Sequence, residues 1–469
     1  MTKERQYLDF YLQLRDLDRL TQSFKVAVLP SPAVGESREA TTVNYNYDEL
    51  AKSLSRLEHR LIDQKSLIQF GEHLANLLLP LGEIRTLFEQ VVKDAGQDGG
   101  VRLRLLTSEP KLARLPWEYT YLPLNKGEEG YRHFLILNPQ ISLVRHEPIA
   151  KKHPKVEGID PKQLRLLVAM ANPKKDLKLD HEKNNLTKVL EEFSVDDVTL
   201  EWRPLLENAT IHDLTNDLMK KKPELFYFAG HGHFDQEGYI LLQTDASGAP
   251  YSMPATQLAL QLKQAGVRVA VFGTCESARR DGASEWAGVA PTLVAEGVPV
   301  VVAMQYEVLD NHAIAFSEIF YAALAAGLSV DEAVAAGRLA MLGQDASNRQ
   351  DESNEQDASN RQDASNQRKL GVVSESSDSK SLSNEKPANV QWGVPVLYMR
   401  SADSIIFPRK TSAVAKQIRR VIQQNIGSIK NGSEFTGLKV KRAKGSFEFV
   451  LNIQEIDNSK VTGVKIKKS

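Results

Sequence analysis

From residue 164 onward the apolar positions come in short unbroken runs, and the stretches between them carry apolar residues at helical spacing. Residues 164–170, 198–202, Leu225–Gly230, 267–273 and 298–304 read as strands. Residues 180–193, 210–222, Ala255–Ala265, 290–296, 313–326 and Val330–Leu342 read as helices, with a short β element at 238–243. Strands that alternate with helices imply right-handed crossovers and a parallel sheet covered on both faces.

The first 160 residues follow a looser pattern. An amphipathic element covers the first 20, and residues 24–29 form a strand stopped by Pro30. Helical periodicity runs through 47–79 on Leu50, Leu54, Leu57, Leu61, Leu67, Phe70 and Leu74, and a second helix covers 84–94. Residues 101–106 alternate as a strand, whereas 115–119 and 134–137 look sheet-associated. The Lys-, His- and Pro-rich stretch 151–163 reads as a linker.

Residues 344–367 repeat a hexad of the form Gln-Asp-Ala-Ser-Asn-Arg. Nothing in it is more apolar than alanine, so burial cannot offset the entropy of ordering it. A disordered insertion is expected over about 343–388, and residues 392–398 should resume the same sheet as its last strand. The expected units are therefore 1–150, an α/β region; 164–407, the sheet-and-helix domain; and 409–469, a small α+β module. That last piece carries 14 Lys and Arg against four Asp and Glu, a balance of +10. A helix at 413–424 and strands at 436–442, 446–453 and 461–467 outline it. Its basic surplus suits nucleic acid or an acidic protein partner, yet no nucleic-acid-reading motif accompanies it.

The whole chain of 469 residues is nearly neutral, at −1, which argues against nucleic-acid binding over its entire surface. A single cysteine excludes a disulfide framework and any multi-cysteine zinc site, and it suits a reducing compartment. No apolar run approaches 18 residues and the N-terminus lacks a secretory pattern, so the expectation is a cytoplasmic protein with no membrane role. Neither metal nor cofactor is expected.

Chemistry concentrates at two strand ends. Phe226-Tyr-Phe-Ala-Gly-His-Gly-His233 places His231 after one apolar run, and Val269-Ala-Val-Phe-Gly-Thr-Cys-Glu276 places Cys275, the sole cysteine, after another. If the two strands are neighbours, imidazole and sulfur open into one cleft, where a histidine can take the thiol proton. The N–H groups of Gly232 and Cys275 would then face a tetrahedral oxyanion. Gly273 would allow tight packing where the second strand ends. His233 is the alternative imidazole; His231 is preferred because it comes first and has glycine on both sides.

These segments resemble the CHAT family of caspase-like proteases, relatives of separase and the caspases. Phe228-Ala-Gly-His-Gly-His-Phe234 and Phe272-Gly-Thr-Cys-Glu-Ser277 carry the likeness, supported by Leu115-Pro-Trp-Glu-Tyr119 and Trp392-Gly-Val-Pro-Val-Leu-Tyr398. The resemblance spans about 100–407. It implies an α/β caspase-like fold, a parallel-rich sheet flanked by helices, and a cysteine endopeptidase with His231 as catalytic histidine and Cys275 as nucleophile. It allows the region upstream of 160 to be a degenerate caspase-like unit. Residues 304–311 resemble a separase-like segment in which an acid receives a basic substrate side chain; Asp310 is the first candidate and Glu307 the second, with a cap for the helix at 311–326 as the other role open to Asp310. The expected partners are a protein substrate and a regulatory sensor docked on the basic C-terminal module. By the same resemblance, the protein would be a latent bacterial enzyme of defence or cell death. The rival reading is a catalytically silent scaffold that binds partners. A nucleotide-driven signalling protein is disfavoured, because no Gly-x-x-x-x-Gly-Lys-Ser/Thr loop is present.

Overall fold

The computed structural model describes residues 5–31, 34–96, 99–124, 130–146, 163–177, 179–190, 194–195, 198–201, 205–235, 237–244, 249–273, 288–344, 387–401, 407, 418–419, 433–443, 446–455 and 461–465. The first half supplies β1 (Tyr7–Asp18), β2 (Ser23–Val28), β3 (Thr41–Asn44), α1 (Tyr47–Glu58), α2 (Gln64–Leu78), α3 (Glu83–Ala95), β4 (Gly100–Thr107), α4 (Pro110–Ala113) and β5 (Ile141–His146). The second supplies β6 (Gln163–Ala171), α5 (Leu179–Leu190), β7 (Ser194–Val195), β8 (Val198–Glu201), β9 (Leu205–Leu206), α6 (Ile211–Lys221) and β10 (Leu225–Gly230). It continues through β11 (Gly232–Asp235), β12 (Glu237–Gln243), β13 (Pro250–Pro254), α7 (Ala255–Ala265), β14 (Val269–Gly273), α8 (Val289–Glu296), β15 (Val300–Met304), α9 (Asp310–Ala325), α10 (Val330–Leu342) and β16 (Pro395–Met399).

Both halves feed one sheet of 13 strands, ordered β3-β2-β1-β4-β5-β16-β15-β14-β10-β6-β8-β7, with β9 paired to β6. Its central strands are parallel, as the strand–helix alternation requires. β16 is the exception: it runs antiparallel to β15 and parallel to β5, and so joins the halves. Every residue of β10, β14 and β15 is buried. Such uniformly apolar strands need cover on both faces. Here one apolar cluster holds Leu225, Tyr227, Val269 and Val300, and a second holds Phe226, Phe228, Phe272 and Val301, so alternate residues feed opposite layers.

Several elements differ from expectation. The periodic stretch 47–79 is two helices, because Arg60 adopts a left-handed φ of 57° and Asp63 caps a new helix, its carboxylate accepting the Ser66 N–H. Residues 117–119 and 135–137, in the segments expected to be sheet-associated, form 3₁₀ turns, and a single bridge joins Tyr121 to Phe134. Pro116 lacks the N–H a ladder needs, and buried side chains fix the turn through the backbone: Trp117 Nε1 donates to the Leu112 carbonyl and Tyr119 Oη to that of Val390. The last strand of the sheet starts at Pro395, after a further 3₁₀ turn at Gln391–Gly393.

Of the tract expected to be disordered, about 343–388, residues 345–386 lie outside the described residues, while Gly343 and Gln344 follow α10 and the Ala388 N–H donates to the Ile62 carbonyl. Of the helix expected at 413–424, Ile418 and Arg419 alone are described. Beyond them, β17 (Ser433–Ala443), β18 (Ser446–Glu455) and β19 (Val461–Lys465) form a separate antiparallel meander, where three strands were expected.

Candidate functional site

The strands that precede His231 and Cys275, β10 and β14, are parallel neighbours that end at the same edge of the sheet. β10 pairs with β6 on one side, Gly230 opposite Ala171, and with β14 on the other, Ala229 opposite Gly273. Position 231 therefore lies two residues beyond one member of a register pair, and position 275 lies two beyond the other. The crevice beyond the carboxyl ends of parallel strands is where open α/β sheets bind ligands.

His231 leaves β10 directly and is 5% exposed. Its carbonyl accepts the Leu241 N–H at 2.9 Å, which ties the residue to β12. On the ring, Nε2 lies 2.6 Å from Asp176 Oδ1. Asp176 belongs to the turn that follows β6, and Asn172 shapes that turn. The Asn172 Oδ1 accepts the Asp176 N–H at 3.2 Å, and its Nδ2 donates to the Leu177 carbonyl at 2.8 Å. Such side-chain bonding to nearby backbone is what makes asparagine a turn former. Burial pushes the Asp176 carboxyl upward, but the bond to His231 and its charge act the other way and leave it below the usual carboxylate range.

Cys275 is in the stretch 274–287, outside the described residues, but both ends of that stretch are defined. Gly273 ends β14 against Tyr227, whose hydroxyl donates to Glu182; a Cβ at Gly273 would collide with that hydroxyl. The chain returns at Gly288, which faces Gly238 of β12 so closely that a Cβ on Gly238 would strike its backbone. The segment holding the cysteine thus departs beside the strand carrying His231 and returns against the hairpin that begins at Gly232.

The other expected residues are Gly232, His233, Glu307 and Asp310. Gly232 opens β11 opposite Ile240. His233 follows on β11, its ring stacked on Tyr239 with centroids 4.7 Å apart and planes 8° apart. Burial lowers its pKa, and Lys174 adds to the shift. Glu307 comes three residues after β15 and is ion-paired with Arg60 at 3.0 Å, 15% of its side chain remaining exposed. Asp310 begins α9 with Leu309 at the N-cap position, so it is the first helical residue rather than the cap. Its side chain lies outside the described set.

Asp176 was missed at the sequence level. The readable signal was Asn172-Pro-Lys-Lys-Asp176, an Asx-type turn after the first strand of the domain. Among the described residues no group of three or more His, Cys, Asp or Glu side chains could hold a metal ion.

The fold and this edge define an α/β protein with a buried, carboxylate-bound imidazole beside the strand that leads to its one cysteine. The chain belongs to the CHAT domain family, which matches residues 70–427. Among solved structures it is similar to a chain in two crystal structures of the Saccharomyces cerevisiae separase–securin complex, at 12% identity and TM-scores of 0.37 and 0.35. The likeness covers 71% of this chain and 29% of that one. No curated protein matches.

Proposed function

We propose that the protein is a cysteine endopeptidase in which Cys275 is the nucleophile and His231 its base. One observation carries this reading: β10 and β14 are hydrogen-bonded parallel neighbours in the register Ala229 to Gly273. In this mechanism the thiol proton passes to the imidazole, and sulfur attacks the scissile carbonyl carbon. The oxyanion is held by the N–H groups of Gly232 and Cys275. The C–N bond then breaks as the imidazolium gives its proton to the leaving amine. Water, deprotonated by the same imidazole, cleaves the thioester and releases the acid product. Asp310 is the pocket acid for a basic substrate residue, since the Glu307 carboxylate already holds Arg60. The natural substrate is a protein, cut at one or a few sites in a bacterial defence or cell-death response. Control rests with a partner that docks on the basic C-terminal module.

The test compares newly created protein N-termini in cells expressing the wild-type chain or Cys275→Ala. A set of N-termini that depends on Cys275 is expected. Identical sets would leave the scaffold reading in its place.

A further inference from the structure

In the proposed reaction one imidazole nitrogen of His231 receives the thiol proton, and the ring must be held so that this nitrogen is free of its own proton. We infer that Asp176 is a positioning residue that fixes His231 as the Nε2–H tautomer and leaves Nδ1 as its basic nitrogen. This rests on the endopeptidase reading and deepens it.

The argument starts from the 2.6 Å contact between Asp176 Oδ1 and His231 Nε2. A carboxylate has acceptors only. The short contact therefore requires the proton on Nε2, which leaves Nδ1 as the basic nitrogen of the neutral ring. When the ring takes up a second proton the contact becomes a charge-assisted bond between imidazolium and carboxylate. Imidazolium is the form required beside a thiolate.

The bond is also built to hold. Asp176 is no chance neighbour on a long loop: the turn leaves β6 at Ala171, which is paired with Gly230, the residue before His231. Asn172 then clamps the turn at both ends, through Asp176 N–H and the Leu177 carbonyl. The carboxylate is thus anchored to one strand and the imidazole to the next. The ring is buried while 42% of the Asp176 side chain is exposed, so the carboxylate stays hydrated and charged as it steers the ring. The His233 ring instead rests on Tyr239.

Because Cys275 is the sole cysteine, its alkylation by iodoacetamide reads the state of the pair without knowledge of the substrate. Rates would be measured by intact mass across pH for wild type, Asp176→Asn, Asp176→Glu and His231→Ala, each checked for an unchanged melting temperature. At pH 6 the Asp176→Asn protein should react about tenfold more slowly than wild type, the loss expected when a bond to a charged group is removed. At pH 10, where the thiol ionises unaided, the two rates should converge. Asp176→Glu, which keeps the charge, should stay within about threefold of wild type. An Asp176→Asn profile that overlays wild type, while His231→Ala loses its low-pH reactivity, would overturn the positioning role and leave the dyad standing. Equal losses in the Asn and Glu variants would also overturn it, because charge would not be what the site uses. A His231→Ala profile identical to wild type would instead remove the endopeptidase reading on which the inference rests.

Discussion

Arg60 and Glu307 are 247 positions apart, and their 3.0 Å ion pair weighs against Glu307 as the acid of the proposed pocket. An acid already neutralised by an internal guanidinium has less to offer a substrate ammonium or guanidinium than one that is not. Replacing Asp310 by alanine is therefore expected to lower kcat/KM for cleavage after Arg or Lys by about 100-fold, the size of a lost charge-assisted contact. Glu307→Gln should have a smaller effect. Peptide libraries varied at the cleaved position would check both, and unchanged preference in Asp310→Ala would refute the assignment. At this scale His231 was legible in the sequence because a histidine between two glycines after an apolar run stands out. Asp176 was not, because an exposed acid in a Lys-rich turn looks like many others until the partner it meets is known.

Among the elements, the turn from His59 to Asp63 shows how one side chain directs several contacts. Asp63 caps α2 through the Ser66 N–H at 2.8 Å, accepts the Ser66 hydroxyl at 2.6 Å and pairs with Arg56 at 3.0 Å. Its carboxyl is partly buried, which acts upward, yet the bonds from Ser66 and Arg56 outweigh that and lower its pKa to about 2. The depressed value means that Asp63 contributes stability in full above its unfolded pKa of about 4, and that the contribution fades as pH falls from there through about 2. Asp63→Ala should cost about 1 kcal/mol at neutral pH, the usual worth of an N-cap, and the difference from wild type should shrink as pH falls through about 2. Urea titrations at several pH values would show whether it does. The same turn receives the chain where the described residues resume after 386, the Ala388 N–H donating to the Ile62 carbonyl at 2.8 Å. Periodicity alone could not divide α1 from α2, since Leu57, Leu61 and Leu67 keep the apolar rhythm across the break. A left-handed Arg60 and a capping Asp63 are local signals that become decisive once α2 has a surface to pack on.

Across the molecule, buried ion pairs bind the two halves of the chain. Arg102 on β4 meets Asp331 on α10 in a bidentate contact of 2.7 and 3.1 Å, with both side chains almost fully buried. Arg102 and Arg104 also share Asp9 of β1, and Arg104 donates to the carbonyls of Met399 and Ser401. Arg419 closes on Glu332 next along α10. Losing one member of such a pair leaves a charge in a dry interior. Asp331→Ala should therefore destabilise the protein by about 3–5 kcal/mol and lower a single unfolding transition shared by both halves. Denaturation followed with a probe on β1 and another on α9 would reveal two separate transitions if the halves were independent.

The sequence alone determined the α/β class, the identity of β6, β10, β14 and β15 as buried strands, and the two strand ends that precede His231 and Cys275. It could do so because burial on both faces writes itself into unbroken apolar runs, and helices between strands leave few topologies open. Only the tertiary structure decided which strands are neighbours, that the first 146 residues extend the same sheet through β5 and β16, and that Asp176 stands against His231. Those outcomes depend on pairings between residues far apart in the chain. No local pattern encodes a partner; the pairing emerges when strands choose neighbours that bury their apolar faces together.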